Sequence, residues 1–246
     1  MYLTTQALVL RITAYNETDA ILTLLSGEHG KLSVKARGLR RKNSPLIAPC
    51  QLLAYGEFTL FEYRGMYTVN EARSIELFSA LRKDLTALSL GTYFVQVAEV
   101  ISQEDAPNPE LLSLLLNSLY ALSCLKLPHV QVKAVFELRS ACLAGYTPDL
   151  SGCKHCAGNN PDRFDVSEGC LECNRCKAAN SAGIRLPITQ SMRYAMQYIC
   201  QCGPKHLFQF RAGEETFLAL SQLTECYLVT KLERGFSTLD FYKSLF

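Results

Sequence analysis

The 246-residue sequence contains no G-x-x-x-x-G-K-[ST] run, no G-x-G-x-x-G after a strand, no G-x-S-x-G and no H-E-x-x-H. Those patterns cradle phosphates, shape a nucleophile turn or hold a catalytic zinc, so their absence removes the usual NTPase, dehydrogenase and hydrolase sites. None of the four histidines begins an H-x-E element, which excludes a zinc deaminase, whose glutamate moves the proton. Long apolar runs are missing too. The most apolar window, LLSLLLNSLYALSCL at 111–125, is shorter than the ~20 residues that span a bilayer and carries Ser113, Asn117, Ser118 and Ser123. It reads as a buried helix. The opening MYLTTQALVLRITAYNETD has no basic start and is broken by Arg11, so a cytoplasmic location without membrane contact is expected. There is no internal repeat and no low-complexity tract.

With 48% apolar residues the chain can bury a sizeable core, in one large domain or a few small ones. Its first eighty residues carry strand signals. Two β-like runs flank Ser26-Gly27-Glu28-His29-Gly30, and a second pair flanks Arg64-Gly65, with ALVLRIT in front. Five short strands in that length fit a small barrel of the OB type better than an open sheet with unprotected edges. From about Leu81 the apolar period becomes helical, through Leu85, Leu88, Phe94, Val97 and Ile101. Asn108-Pro109 forms an N-cap and N1 pair, Gly145 ends a helix as a C′ residue, Thr189 caps another, and Gly235 closes a further one. The expected class is α+β and multi-domain: an OB-fold barrel at 1–79, a helical domain at 80–148 and 183–246, and an inserted cysteine module at 149–182.

That module contains five of the eleven cysteines. The pairs Cys153/Cys156 and Cys173/Cys176 are sixteen residues apart, the spacing of a four-cysteine zinc ribbon. Each CxxC forms a tight knuckle that offers two thiolates to one tetrahedral ion, and two knuckles close the shell. A closed shell leaves no place for water or substrate, so one structural Zn²⁺ is expected. Cys170/Cys173 is an alternative second pair. Cys173/Cys176 is preferred because Gly169 then supplies the turn before the knuckle and Cys170 takes a small-residue position. His155 sits between two thiols, where its ring points away from the metal and to the surface. A redox CxxC would want a βαβ setting that the helical flanks do not give. The six other cysteines lie in apolar or helical surroundings and read as reduced, small hydrophobes.

Acidic residues are absent between Glu28 and Glu57, where Lys31, Lys35, Arg37, Arg40, Arg41 and Lys42 fall without local compensation. Period two places Lys31, Ser33, Lys35 and Arg37 on one face, with Leu32, Val34 and Ala36 toward the core. GLRRKNSP beyond them reads as a flexible cationic loop, near Tyr15, Tyr55, Phe58, Phe61, Tyr63 and Tyr67. Cations that track phosphates beside rings that stack bases suggest nucleic acid, although many of those rings must be core. The cysteine module has no such bias, with five acidic and four basic residues from Asp149 to Ala182, and reads as a brace.

The order barrel, helices, CxxC insertion, helices resembles the RecO family of bacterial recombination-repair mediators. The resemblance is carried by ALVLRITAYNETDAILTLLSGEHGKLSVKARGLRR at 7–41, FELRSACLAGYTPDLSGCKHC at 136–156 and FDVSEGCLECNRC at 164–176. Where the family usually has two glycines before the second knuckle, Gly169-Cys170 stands here, which favours Cys173 and Cys176 as ligands. The resemblance implies a non-enzymatic protein that binds single- and double-stranded DNA and anneals complementary strands. It implies that RecR helps it place RecA on strands coated by single-stranded-DNA-binding protein, whose acidic C-terminal tail docks on the helical domain. It also implies association with the nucleoid during repair. The DNA residues carried over are Lys31 to Lys42 in the basic run, with Arg11 and Tyr15 beside it. A zinc-braced RNA-binding or protein-interaction module, and an enzyme using the Cys170 thiol, are the alternatives.

Overall fold

The computed structural model describes residues 1–158, 160–176 and 183–246. It falls into two compact units, 1–125 with 236–246 and 126–235.

In the first unit five strands form where apolar residues alternate: β1 (Tyr2–Ala14), β2 (Ala20–Ser26), β3 (Gly30–Ala36), β4 (Tyr55–Tyr63) and β5 (Met66–Glu76). Leu22, Leu24, Leu32, Val34, Phe58 and Leu60 point inward and are almost fully buried. β1 pairs antiparallel with β2 and with β4, β2 with β3, and β4 with β5. A short parallel pairing of β3 with β5, Val34 to Tyr67 and Lys35 to Thr68, closes the sheet. The result is a barrel in the order β1-β2-β3-β5-β4, without free edges, as expected of an OB-type fold. The β4–β5 turn places Arg64 and Gly65 at φ 52° and 76°. A two-residue turn of that hand matches the strand twist and favours glycine at its second position.

Asp84 accepts a hydrogen bond from the Ala87 N–H and starts α1 (Leu85–Ile101). Asn108 does the same for Leu111 at 3.0 Å, with Pro109 at N1 of α2 (Pro109–Ser123).

In the second unit α3 (His129–Leu143) is followed by Gly145 at φ 92°, as a C′ residue. A small sheet comes next: β6 (Asp149–Cys153), β7 (Arg163–Asp165), β8 (Cys170–Glu172) and β9 (Arg185–Pro187), in the order β6-β8-β7-β9. Thr189 caps α4 (Gln190–Gln201) by accepting from the Met192 N–H, and α5 (Glu214–Leu232) packs along α3. Gly235 does not close α5. Glu233 takes the left-handed conformation at φ 51°, and the N–H groups of Glu233 and Arg234 already donate to Thr230 and Val229 oxygens. Two of the helix's last four carbonyls, those of Val229 and Thr230, are thus satisfied before the glycine is reached.

The helices divide differently from the expected single domain of 80–148 with 183–246. α6 (Ser237–Lys243) returns to α1, where Phe236 meets Tyr93 edge-on at 5.5 Å, so α1, α2 and α6 belong with the barrel. The cysteine sheet belongs with α3, α4 and α5. Among the described residues no helix is long and apolar enough to cross a membrane.

Candidate metal centre and nucleic-acid interface

Cys153 ends β6, Cys156 lies in the turn after it, Cys173 follows β8 and Cys176 ends a short 3-10 turn. In each knuckle an N–H folds back, Ala157 to the Cys153 oxygen at 2.8 Å and Cys176 to the Cys173 oxygen at 3.0 Å. The pairing of β6 beside β8 brings the knuckles together, and the four sulfurs lie within 4.8 Å of one another. Four sulfurs each about 2.3 Å from one ion would stand about 3.8 Å apart. Cys156 Sγ and Cys173 Sγ are 3.7 Å apart. The donor set therefore fits a tetrahedral thiophilic ion.

The protons on these thiols are unevenly held. Burial pushes Cys153 up, but N–H donors at His155, Cys156 and Cys173 outweigh it and bring its pKa down to about 6. Cys176, sharing hydrogen bonds with Cys173 and Cys156, is pushed up to about 12. Crowded thiols cannot all ionise without a cation among them, and a bound metal ion would supply that charge.

Cys170 is outside this group: it is buried in β8, and burial raises its pKa, the reverse of a reactive thiol. His155 is exposed but bonded, its Nε2 3.2 Å from Glu172 Oε1. Arg185 Nε donates to the other Glu172 oxygen at 2.7 Å and its NH2 to Asp165 at 3.0 Å. Lys154 pairs with Glu168 at 3.0 Å. Within the module Lys154 is thus spent on Glu168, while Asp165 and Glu172 are spent on Arg185 just beyond it. Lys177, counted in the charge balance, lies outside the described residues. The sheet is tied to its helices by Arg193 of α4, which donates to the Leu150 and Ser151 oxygens at 3.1 and 2.6 Å. Tyr227 of α5 donates to the Tyr146 oxygen at 2.9 Å and meets Phe164 edge-on at 5.3 Å.

On the barrel, β3 alternates as expected: Leu32, Val34 and Ala36 are buried, while Lys31, Ser33 and Lys35 face outward. The cations are not all uncompensated, however. Lys35 pairs with Asp19 at 3.2 Å and lies 4.5 Å from the Tyr15 ring centroid. Asp19 also accepts from the Gly38 N–H at 2.8 Å, the main reason its carboxyl stays far below the usual carboxylate range. Arg40 donates to the Asn16 oxygen at 2.6 Å, and Lys31 Nζ to the Glu99 oxygen at 3.3 Å. Arg11 pairs with Glu99 at 3.0 Å. Arg37, Arg41 and Lys42 are exposed, and none has an ion pair among the described residues. The rings divide as well. Phe58 is core, Tyr67 packs against the core, Tyr55 donates to Gln6 at 2.7 Å, and Tyr15, Phe61 and Tyr63 are exposed. Asp19 precedes β2, outside the acid-free stretch from Glu28 to Glu57, so local charge balance does not reveal it as the partner of Lys35.

Residues 1–78 match the family model described as "Recombination protein O N terminal", and residues 82–240 match "Recombination protein O C terminal". The chain is 34% identical over 246 residues to the "DNA repair protein RecO" of Acetivibrio thermocellus, covering 99% of this chain and 97% of that one. It is 29% identical to the protein of the same name from Alkaliphilus metalliredigens, covering all of both. Against that from Bacillus subtilis it is 29% identical over 90% of this chain and 86% of the relative. Both family models match in chain order, one on the barrel and one on the helices and cysteine module, and these relatives align along most of their length: the chain belongs to the RecO family.

Proposed function

We propose that this chain is a mediator of DNA repair and homologous recombination. It binds single- and double-stranded DNA, anneals complementary strands and, with RecR, helps load RecA on strands coated by single-stranded-DNA-binding protein, whose C-terminal tail it engages. The relatives' shared name, DNA repair protein RecO, supports the process. The observation that carries the DNA contact is the exposed set Arg37, Arg41 and Lys42 beside β3 of an OB-type barrel. Two strands repel through their phosphates, and a cationic surface that holds one loosely lowers that repulsion and raises productive encounters. No bond is made or broken, so the chain acts without enzymatic turnover.

The ion we propose at Cys153, Cys156, Cys173 and Cys176 is one structural Zn²⁺, which would lock the two knuckles together. These four residues hold the ion, while Arg193 and Tyr227 fix the module to its helices; the segment 149–182 is a brace rather than a reader.

The test is annealing of labelled complementary DNA strands, bare and coated with single-stranded-DNA-binding protein. Arg37/Arg41/Lys42→Glu is the variant of choice, because Lys35 and Arg40 also hold the barrel's loops together. Wild type should anneal both substrates and the variant neither. A wild type that binds and anneals neither would replace this reading by a protein-interaction module, and a preference for ribose strands would replace it by an RNA-binding one.

A further inference from the structure

Two of the cysteines outside the metal-binding module meet across helices. Cys142 stands in the last turn of α3 and Cys200 in the last turn of α4, 58 residues apart along the chain, with their sulfurs 3.6 Å from each other. Both are half-buried. Cys50 shows the contrast: it is fully buried and desolvation pushes its thiol up to about 12, as suits a packed hydrophobe.

The surroundings of the pair favour ionisation. Arg139, one turn before Cys142 on α3, donates to the Cys200 oxygen at 2.6 Å and to the Ile199 oxygen at 3.3 Å. It caps the end of α4 and sets a cation beside both sulfurs. The hydrogen bond shared with Cys200 is the main cause that brings Cys142 down to about 7; burial opposes it, and Thr147 and the Arg139 charge assist. The same sharing, with burial, raises Cys200. The two thiols thus release a first proton near neutral pH and hold the second. Among the described residues no third cysteine, histidine or carboxylate donor completes a cluster with them. Two sulfurs leave half of a tetrahedral shell empty, so the pair is not a second zinc site.

The pair also stands at the root of the cysteine module. All of β6 to β9, and the four cysteines that face one another there, lie between Cys142 and Cys200 in the chain. A bond between these two residues would close that segment through the helix that leads in and the helix that follows.

We propose that Cys142 and Cys200 form a redox-modification site, at which a hydroperoxide makes a reversible disulfide that staples α3 to α4 around the module. The Cys142 thiolate attacks one peroxide oxygen and breaks the O–O bond, giving a sulfenic acid and releasing water or an alcohol. The Cys200 sulfur then attacks Cys142 Sγ and displaces the hydroxyl as water. Two thiols lose two electrons and two protons, and the hydroperoxide takes them up. A small dithiol restores the pair by exchange. The sulfurs need close only from 3.6 Å to about 2.05 Å.

The experiment treats the full chain, purified with its bound metal, with hydrogen peroxide, and maps its cysteines by mass spectrometry with peptide fragmentation and without reduction. The expected product is a cross-link between Cys142 and Cys200, lighter by two hydrogens than the reduced pair, formed before any module cysteine is oxidised and removed by dithiothreitol. Oxidation should also raise Tm by about 5–15 °C, because the bridge closes a long loop. Cys142→Ser should give neither cross-link nor shift, and Cys200→Ala serves the same purpose if that variant folds poorly; the wild-type map stands without either. A bridge through Cys202 or Cys153, sulfinic acid at Cys142 without a cross-link, or prior oxidation of the module overturns the proposal. A Cys142–Cys200 cross-link that leaves Tm unchanged overturns the staple.

Discussion

Lys133 is an ammonium almost wholly enclosed between α3 and α5. It lies 2.9 Å from Glu137 and 2.9 Å from Glu225, and also donates to the Ser221 oxygen at 3.3 Å. Burial works against its charge, yet the two carboxylates keep its pKa above the ordinary value. Glu137 is fully buried and accepts from Thr224 at 2.8 Å as well, so every side of the pair is hydrogen-bonded. Lys133→Ala leaves a buried carboxylate without its cation and should destabilise the chain by about 3–5 kcal/mol in denaturant unfolding. Lys133→Met with Glu137→Leu should recover most of that loss.

Asp19 gives the pH dependence at this scale. The Gly38 N–H is the largest cause of its depressed pKa, with Asn16, Lys35 and Thr18 adding to it against the cost of burial. Its folded pKa lies below the unfolded value of about 3.9. The stability it contributes is therefore present above that value and lost as pH falls toward the folded pKa. Asp19→Asn should melt below wild type at pH 7, and the gap should close on acidification below about pH 4; a gap that persists would show that the carboxylate's charge is not what matters.

At the scale of elements, the knuckles depend on which second CxxC closes the shell. Cys173 serves both candidate pairs, but Cys170 is buried within β8 and Cys176 returns to Cys173 through its own turn. Purified Cys170→Ser should therefore keep one metal ion per chain by elemental analysis, whereas Cys173→Ser should lose it. The turn that permits this is fixed by Gly169 at φ 71°, where a Cβ would come within 2.6 Å of the Tyr227 hydroxyl. Only glycine satisfies both the backbone and that close approach. The spacing in the sequence allowed either pair; the direction of β8 separates them.

Over the whole molecule the net charge of +2 says little, because the cations are unevenly used. Some are spent on the barrel's outer face, as Lys35 is on Asp19, and others stay in water. The free ones should dominate the salt dependence of DNA binding. If Arg37, Arg41 and Lys42 each neutralise a phosphate, the glutamate variant used for annealing should lower the log–log salt slope on single strands by roughly 2.

Much of this protein is decided locally. Period-two apolar runs and the turns at Gly27 to Gly30 and Arg64-Gly65 define the five strands, since the pleat and the left-handed turn act over a few residues. The caps at Asn108 and Thr189 and the two CxxC pairs are legible for the same reason: each is a short-range hydrogen-bond or ligand geometry. The end of α5 was less so, because Glu233 accepts a conformation that composition assigns to Gly235. What only the tertiary structure decided are contacts whose partners lie far apart along the chain. Asp19 meets Lys35 across a strand pair, Phe61 and Thr68 join Lys35 through barrel closure, and Lys133 meets Glu225 from another helix. Local periodicity says which face a side chain occupies; register and closure decide which other residues share that face.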